Sequence, residues 1–238
     1  MPTINVIPFP QPEIRDSLKN TTVVVIDALR ATTTILEALT NGAKRIVPVA
    51  EPEQAMRLRA QYAPEPVLIS GERAGLKIEG FDLGNSPLEY LPDIIGGMNI
   101  MMCSTNGTRA IVHASVAQDI LIGCYRNMDA IVTRLGEVTS DIHLCASGKL
   151  NQFCLEDSVC AGGMIDKLSE TRKDLELTDS AHAAVILWNH YKENILGLLK
   201  NCEHGRYLES LGMGADLEFC SQLSVSDRIP ALKNGIIQ

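Results

Sequence analysis

The chain has 238 residues, 45% hydrophobic and 21% charged, an ordinary globular composition that excludes disordered, collagen-like and coiled-coil classes. At roughly 150 residues per domain, the expectation is one domain over 1–238, with a helical C-terminal segment from about 176 packed on it. Lys and Arg number 21 against 29 Asp and Glu, a formal charge of -8, which opposes attraction to a polyanion and argues against a nucleic-acid partner.

No run approaches the ~18 apolar residues of a membrane span. The opening MPTINVIPFPQPEIRD has neither a basic start nor a long apolar run. A cytoplasmic protein with no membrane partner is therefore expected. The seven cysteines are scattered without a C-x-x-C pair, mostly inside apolar runs, and read as small buried hydrophobes in a reducing compartment.

In chain order, INVI at 4–7 suggests an antiparallel or edge strand, because Pro8, Pro10 and Pro12 then remove backbone donors. From residue 22 onward, short β-branched runs alternate with segments of helical period, the pattern of strand–helix units around a largely parallel sheet. Strands are predicted at 23–26, 45–49, 67–69, 100–103, 120–122 and 142–145. Helices are predicted at 31–39, 52–62, 107–117, 127–137 and 156–169, the first stopped by Asn41-Gly42. One long helix is expected over 178–200 and a shorter one over 205–211, with Asp216-Leu217-Glu218 as a solvated turn. The fold class is α/β: a three-layer α/β/α sandwich with a largely parallel or mixed central sheet.

In open parallel sheets, ligands bind at the carboxyl ends of the strands. Three loops there combine a hydroxyl or carboxylate with an arginine: Asp27 to Thr34, including Arg30 and Thr32; Ser70-Gly71-Glu72-Arg73; and Ser104-Thr105-Asn106-Gly107-Thr108-Arg109. A guanidinium fork pairs two anionic oxygens, and a helix start adds N–H donors, so three such loops can build one anion site. A single arginine in a surface ion pair is the structural alternative.

Asp27 follows four β-branched residues, where a carboxylate needs a metal, an arginine or backbone donors to offset its desolvation. Capping the next helix is its other reading. The haloacid-dehalogenase arrangement needs a second aspartate two positions on, and Leu29 stands there. P-loop, G-x-G-x-x-G and G-x-S-x-G motifs are absent, which disfavours NTPase, dinucleotide and α/β-hydrolase chemistry.

The segment 71–87 contains four glycines and little periodicity, and Glu72, Asp82 and Asn85 within it are oxygen donors suited to a hard cation. Asp82 serves a local turn equally well. Glu156 and Asp157 lie in the first turn of a predicted helix, where its dipole alone favours acids. Lys149 follows another strand end and is placed to meet a phosphate.

Five segments, in order, carry a resemblance: VVVIDALRATTTILEALTNGA, ISGERAGLKIEGFDLGNSPLEY, CSTNGTRAI, FCLEDSVCAG and GADLEFC. Together they resemble the 2-phosphosulfolactate phosphatases over nearly the whole chain. The resemblance implies a three-layer α/β/α, magnesium-dependent phosphatase that converts (2R)-O-phospho-3-sulfolactate to 3-sulfolactate in coenzyme M biosynthesis. One departure is Asn151-Gln152-Phe153-Cys154-Leu155-Glu156-Asp157, where the family has a glycine-rich turn ending in F-S-x-E-D. Cys154 replaces a hydroxyl there.

On this reading the catalytic residues are Asp27, Arg30 and Glu72. Substrate contacts are assigned to Arg30, Thr32, Arg73, Ser104, Thr105, Asn106, Gly107, Thr108 and Arg109. The carboxylates offered to Mg2+ are Asp27, Glu72, Asp82, Glu156 and Asp157. The partner is a small anion bearing phosphate and sulfonate, and a homodimer through the C-terminal helices is the default oligomer. Attack by activated water and an aspartyl-phosphate at Asp27 are both open routes. The rival class is a non-catalytic receptor for a small organic anion, disfavoured because so many carboxylates repel an anion unless a cation intervenes.

Overall fold

The computed structural model describes residues 1–62 and 64–238. Its strands are β1 (Thr3–Ile7), β2 (Thr22–Ile26), β3 (Arg45–Val49), β4 (Val67–Arg73), β5 (Leu76–Lys77), β6 (Asn99–Cys103), β7 (Asp119–Gly123), β8 (Ile142–Ala146), β9 (Glu176–Leu177), β10 (Leu232–Lys233) and β11 (Ile236–Ile237). The helices are α1 (Ala31–Thr40), α2 (Pro52–Gln61), α3 (Pro92–Ile95), α4 (Gly107–Ala114), α5 (Met128–Gly136), α6 (Leu155–Thr171), α7 (Asp179–Tyr191), α8 (Ile195–Asn201), α9 (Glu203–Ser210) and α10 (Gly214–Cys220).

The α/β sandwich expected from the sequence is present, and its strands divide between two sheets. One has the order β7-β2-β8-β1-β9, and every pairing in it is parallel. The other has the order β10-β11-β3-β6-β4-β5, with a parallel centre and an antiparallel hairpin at each edge.

Side-chain alternation along the strands assigns the layers. Val23 and Val25 of β2 and Ile100 and Met102 of β6 share a core with Ile35 and Leu39 of α1 and Ile111 of α4. Val24 and Ile26 face the opposite way, onto α5, α6 and α7 through Met128, Met164 and Trp188. Met101 and Cys103 face Ala55 of α2. Each sheet is thus covered by helices on both faces, and the α1–α4 layer is common to the two. Strands buried on both sides explain why β2 and β6 read as unbroken apolar runs.

Four local expectations are corrected. β1 is not an edge strand; it runs parallel between β8 and β9, because its prolines lie beyond Ile7 and leave its own amides free to pair. β4 does not stop at 69 but continues through Arg73, held by β5. The helix expected over 178–200 breaks into α7 and α8 where the Asn194 side chain caps Gly197 N at 2.8 Å. The acidic stretch around Asp216 is helical, and Asp216 is buried rather than solvated. No helix among the described residues is long and apolar enough to cross a membrane.

Gly71 sits where β4 passes closest to β6: its φ is +152°, and a Cβ there would lie 1.9 Å from the Cys103 carbonyl oxygen. Gly71→Ala is expected to destabilise the protein by about 1–3 kcal/mol, since neither backbone can yield without breaking ladder bonds. Urea denaturation checks this; a midpoint equal to wild type would show that the two strands relax freely.

Candidate active site

The parallel strands deliver their carboxyl ends to one side of the molecule, and a cavity of about 280 Å³ opens there. Asp27 follows β2, Glu72 lies on β4, and Thr105 and Asn106 follow β6; all four border the cavity. Arg30, Asn85, Lys149, His204 and Tyr207 border it as well. A crevice of about 10 Å³ adjoins it, bordered by Asp27, Ser147, Lys149, Glu156, Asp157 and His204 among others. That is about the space of one water-sized particle.

Asp27 is fixed by its own neighbours. Its backbone N–H donates to Thr32 Oγ1 at 3.0 Å, and the Thr32 hydroxyl donates back to the Asp27 carbonyl at 2.9 Å. Thr32 therefore shapes the turn and does not border the cavity. Asp27 Oδ2 lies against Gly107, where a Cβ would stand 2.4 Å away. Gly107 serves the site by its missing side chain.

Two further carboxylates are held by donors. Glu72 accepts from Thr105 N at 2.6 Å and Gly75 N at 2.9 Å. Asp157 accepts from Ala28 N at 2.9 Å and from the Ser147 hydroxyl at 3.1 Å. Glu156 lies beside them, buried at the start of α6.

Burial together out of water raises the proton affinities of Asp27, Glu156 and Asp157. Burial, with the charges of Glu72 and Glu156, pushes Asp27 up to about 7. Burial and the Asp27 and Glu156 charges hold Asp157 well above the usual carboxylate range, and burial also raises Glu156. At the same cavity, burial and the Lys149 and Arg30 charges lower His204 to about 4, so its imidazole is neutral.

The expected three-arginine anion site does not assemble. Arg30 reaches the cavity, buried, with Nη1 donating to Asp216 Oδ2 at 2.6 Å and Nη2 to the Gly75 carbonyl at 2.8 Å. Arg73 follows Glu72 on an extended strand and so points to the other face; it bonds the Ala50 carbonyl and approaches Glu51 at 3.7 Å. Arg109, its side chain 55% exposed, also pairs with Glu51, at 2.9 Å. Ser104 and Thr108 bond each other across the first turn of α4. Asp82 is away from the cavity as well, accepting from Ile69 N at 2.8 Å and from Arg59 at 3.0 Å.

His204 and Tyr207 were not singled out from the sequence. Their spacing of three puts them on one face of α9, a signal visible only once α9 is known to cover the cavity. Tyr207 donates to the Ala74 carbonyl at 2.9 Å, which ties α9 to the turn after Glu72.

The donor set fits magnesium. Among the described residues, no three His, Cys, Asp or Glu side chains are already gathered around one point. Magnesium, however, is usually held by one or two carboxylates, with water and phosphate oxygens completing the shell. Hard carboxylate oxygens border a crevice of suitable size. Asp27, Glu156 and Asp157, which line it, are the carboxylates that would hold the ion.

Buried acids gathered at strand ends around a small cavity are the arrangement of an α/β enzyme with a small substrate. Residues 9–235 match the family described as 2-phosphosulpholactate phosphatase. The chain is 40% identical to a probable 2-phosphosulfolactate phosphatase of Clostridium acetobutylicum, over 93% of this chain and 94% of that one. It is 39% identical to a protein of the same name from Caldanaerobacter subterraneus subsp. tengcongensis, over 93% and 91% of the two chains. The chain belongs to the 2-phosphosulpholactate phosphatase family, and so to the phosphoric monoester hydrolases.

Two outcomes follow for the site. Asp216→Ala strands the Arg30 charge in the interior, and unfolding by urea should show a loss of roughly 3–5 kcal/mol; a loss below ~1 kcal/mol would mean Arg30 finds water or another partner. For Asp27, the folded state keeps its proton where the unfolded chain has lost it, so ionisation opposes folding. Stability of the chelator-treated protein should therefore fall as pH rises from the usual carboxylate value of 3.8 to about 7. Asp27→Asn should remove most of that fall, and parallel pH profiles for variant and wild type would reject the assignment.

Proposed function

We propose that the protein hydrolyses (2R)-O-phospho-3-sulfolactate to 3-sulfolactate and inorganic phosphate with Mg2+, in the cytoplasm, as a step of coenzyme M biosynthesis. The observation that carries the reading is Asp27: a buried carboxylate among three others at the edge of a cavity sized for a small molecule. An anion receptor has no use for that concentration of negative charge. The name of the family and of its relatives supports the substrate.

Asp27, Glu156 and Asp157 would hold the magnesium ion, which when bound offsets the negative charge of the phosphate and the carboxylates. The chain's own groups do the rest. Beside the ion Asp27 is ionised and is suited to orient the attacking water and take its proton; the raised proton affinity belongs to the metal-free site. The water oxygen bonds to phosphorus, the ester P–O bond breaks, and the departing alkoxide takes up a proton to become the hydroxyl of 3-sulfolactate. Glu72, clamped by Thr105 N and Gly75 N, keeps the loop after β6 and the turn after β4 in register with Asp27. Arg30 keeps positive charge in the wall, although Asp216 neutralises part of it.

Phosphate release from phosphosulfolactate, with phospholactate and phosphoglycerate as controls, tests the reading in magnesium and in excess chelator. Selective release that chelator stops is expected; tight binding without release under any condition would favour the receptor. Asp27→Asn should lower turnover by at least ~10²-fold, the usual scale for a proton-transfer group. Arg109→Ala, which alters only an exposed pair with Glu51, should leave kcat and KM within about twofold. A large KM change there would return Arg109 to the site.

A further inference from the structure

Asp27 takes one of the two O–H bonds of the attacking water and leaves the other undirected. A water held by a single hydrogen bond is free to rotate, and its lone pair faces phosphorus only part of the time. A second acceptor at the cavity would remove that freedom. The substrate does not compete for it, because a phosphate dianion, a carboxylate and a sulfonate carry no O–H or N–H of their own.

Asn85 has such an acceptor. The residue is only 5% exposed, borders the cavity together with Asp27, and its Oδ1 is enclosed without a hydrogen-bond partner. A buried polar group in that state marks a binding or catalytic role. The main chain around it is fixed: the Asn85 carbonyl accepts from Thr34 Oγ1 at 2.9 Å, and Ser86 bonds Asp216 at 2.6 Å, against the buried Arg30 pair. Thr34 lies in the first turn of α1, and Asp27 is anchored on that same turn, its Oδ1 accepting from Ala31 N at 3.4 Å. One helical turn rises about 5.4 Å, so the two residues are tied to neighbouring points of one helix. With the backbone held and Oδ1 unbonded, the broad χ2 range of asparagine lets the amide oxygen turn to the cavity. Thr105 Oγ1 is also without a partner, but a hydroxyl brings its own proton and can donate to an anionic oxygen. An amide oxygen only accepts.

We propose that Asn85 Oδ1 holds the attacking water, accepting from one of its O–H bonds while Asp27 accepts from the other. This rests on the phosphosulfolactate reading above and adds how the nucleophile is aimed. With both protons directed at acceptors, a lone pair of the water oxygen is left to face phosphorus. As the new O–P bond forms, one proton passes to Asp27, and the proton on the Asn85 side stays on the oxygen and leaves with inorganic phosphate. The electrons of the broken ester P–O bond go to the alkoxide, whose protonation offsets the proton taken by Asp27. A neutral amide suits this part, because it orients the water without taking its proton and adds no charge to the acids.

The test measures kcat and KM for phosphosulfolactate, and the magnesium concentration for half-activity, in wild type, Asn85→Ala, Asn85→Leu and Asn85→Asp. Loss of the acceptor in Asn85→Ala should lower kcat roughly 10- to 100-fold, with KM and the magnesium requirement within about threefold of wild type. Asn85→Leu fills the same space without an acceptor and should behave alike; it carries the test if Asn85→Ala fails to fold, judged by its thermal transition. Asn85→Asp keeps an oxygen at that place and should retain more turnover than either. Methanol gives a second readout, since its single O–H goes to Asp27 and needs no other acceptor. Methyl phosphate relative to inorganic phosphate should therefore rise about fivefold or more in Asn85→Ala, whereas a merely structural role lowers both products together. A raised KM at intact kcat makes Asn85 a substrate contact, and a raised magnesium requirement makes it a ligand of the ion. Either result, or an unchanged product ratio, overturns the assignment. Wild-type protein that releases no phosphate overturns the phosphatase reading and this assignment with it, while an active wild type leaves only Asn85 in question.

Discussion

The buried pair between Arg30 and Asp216 joins the two halves of this molecule. Arg30 stands at the entry to α1, in the layer between the sheets, while Asp216 lies on α10 near the end of the chain. Neither charge can face water, so each requires the other, and Ser86 adds a 2.6 Å bond to the second Asp216 oxygen. The Met213 sulfur also contacts the guanidinium. With α10 anchored there, α9 has to pass over the strand ends and roof the cavity. Such a pair adds little net stability compared with apolar packing, and its contribution here is position: it places residues from 203 onward against residues from 27 onward.

The same logic governs the acids. Asp27, Glu72 and the adjacent Glu156 and Asp157 come from three separate segments, and each would rather be solvated. Backbone amides and hydroxyls hold three of them, through Ala31, Thr105, Gly75, Ala28 and Ser147. Those donors fix geometry and only partly offset burial, which keeps the proton affinities of Asp27 and Asp157 raised. Arg30 and Lys149 border the same cavity, so a chain with net charge -8 still brings two basic side chains to its acids there.

Much of the fold was legible because β2 and β6 are buried on both faces and therefore carry uninterrupted apolar runs, followed by polar loops at their ends. Asp27, Glu72, Thr105 and Asn106 were readable for that reason. Arg73 and Arg109 misled the expectation of a three-arginine site: their position beside Glu72 and after Gly107 is a matter of chain order, whereas side-chain direction depends on strand alternation and helix phase. Both turn toward Glu51. Asp82 looked like a hard-cation ligand by residue type and instead holds the Ile69 amide. The break between α7 and α8 is a capping decision made by a single asparagine, too local to disturb an otherwise helical apolar pattern.

By itself, the order of residues determined the strand–helix alternation, the family and the segment carrying Asp27, because these depend on local period and on contiguous motifs. It did not determine the division into two sheets, since short strands such as β5, β10 and β11 have no pattern of their own and exist only by pairing with distant neighbours. Nor did it bring His204 and Tyr207 to the cavity. The segment that carries them is tied across 186 positions of chain by the buried Arg30 and Asp216 charges, an interaction with no local signature.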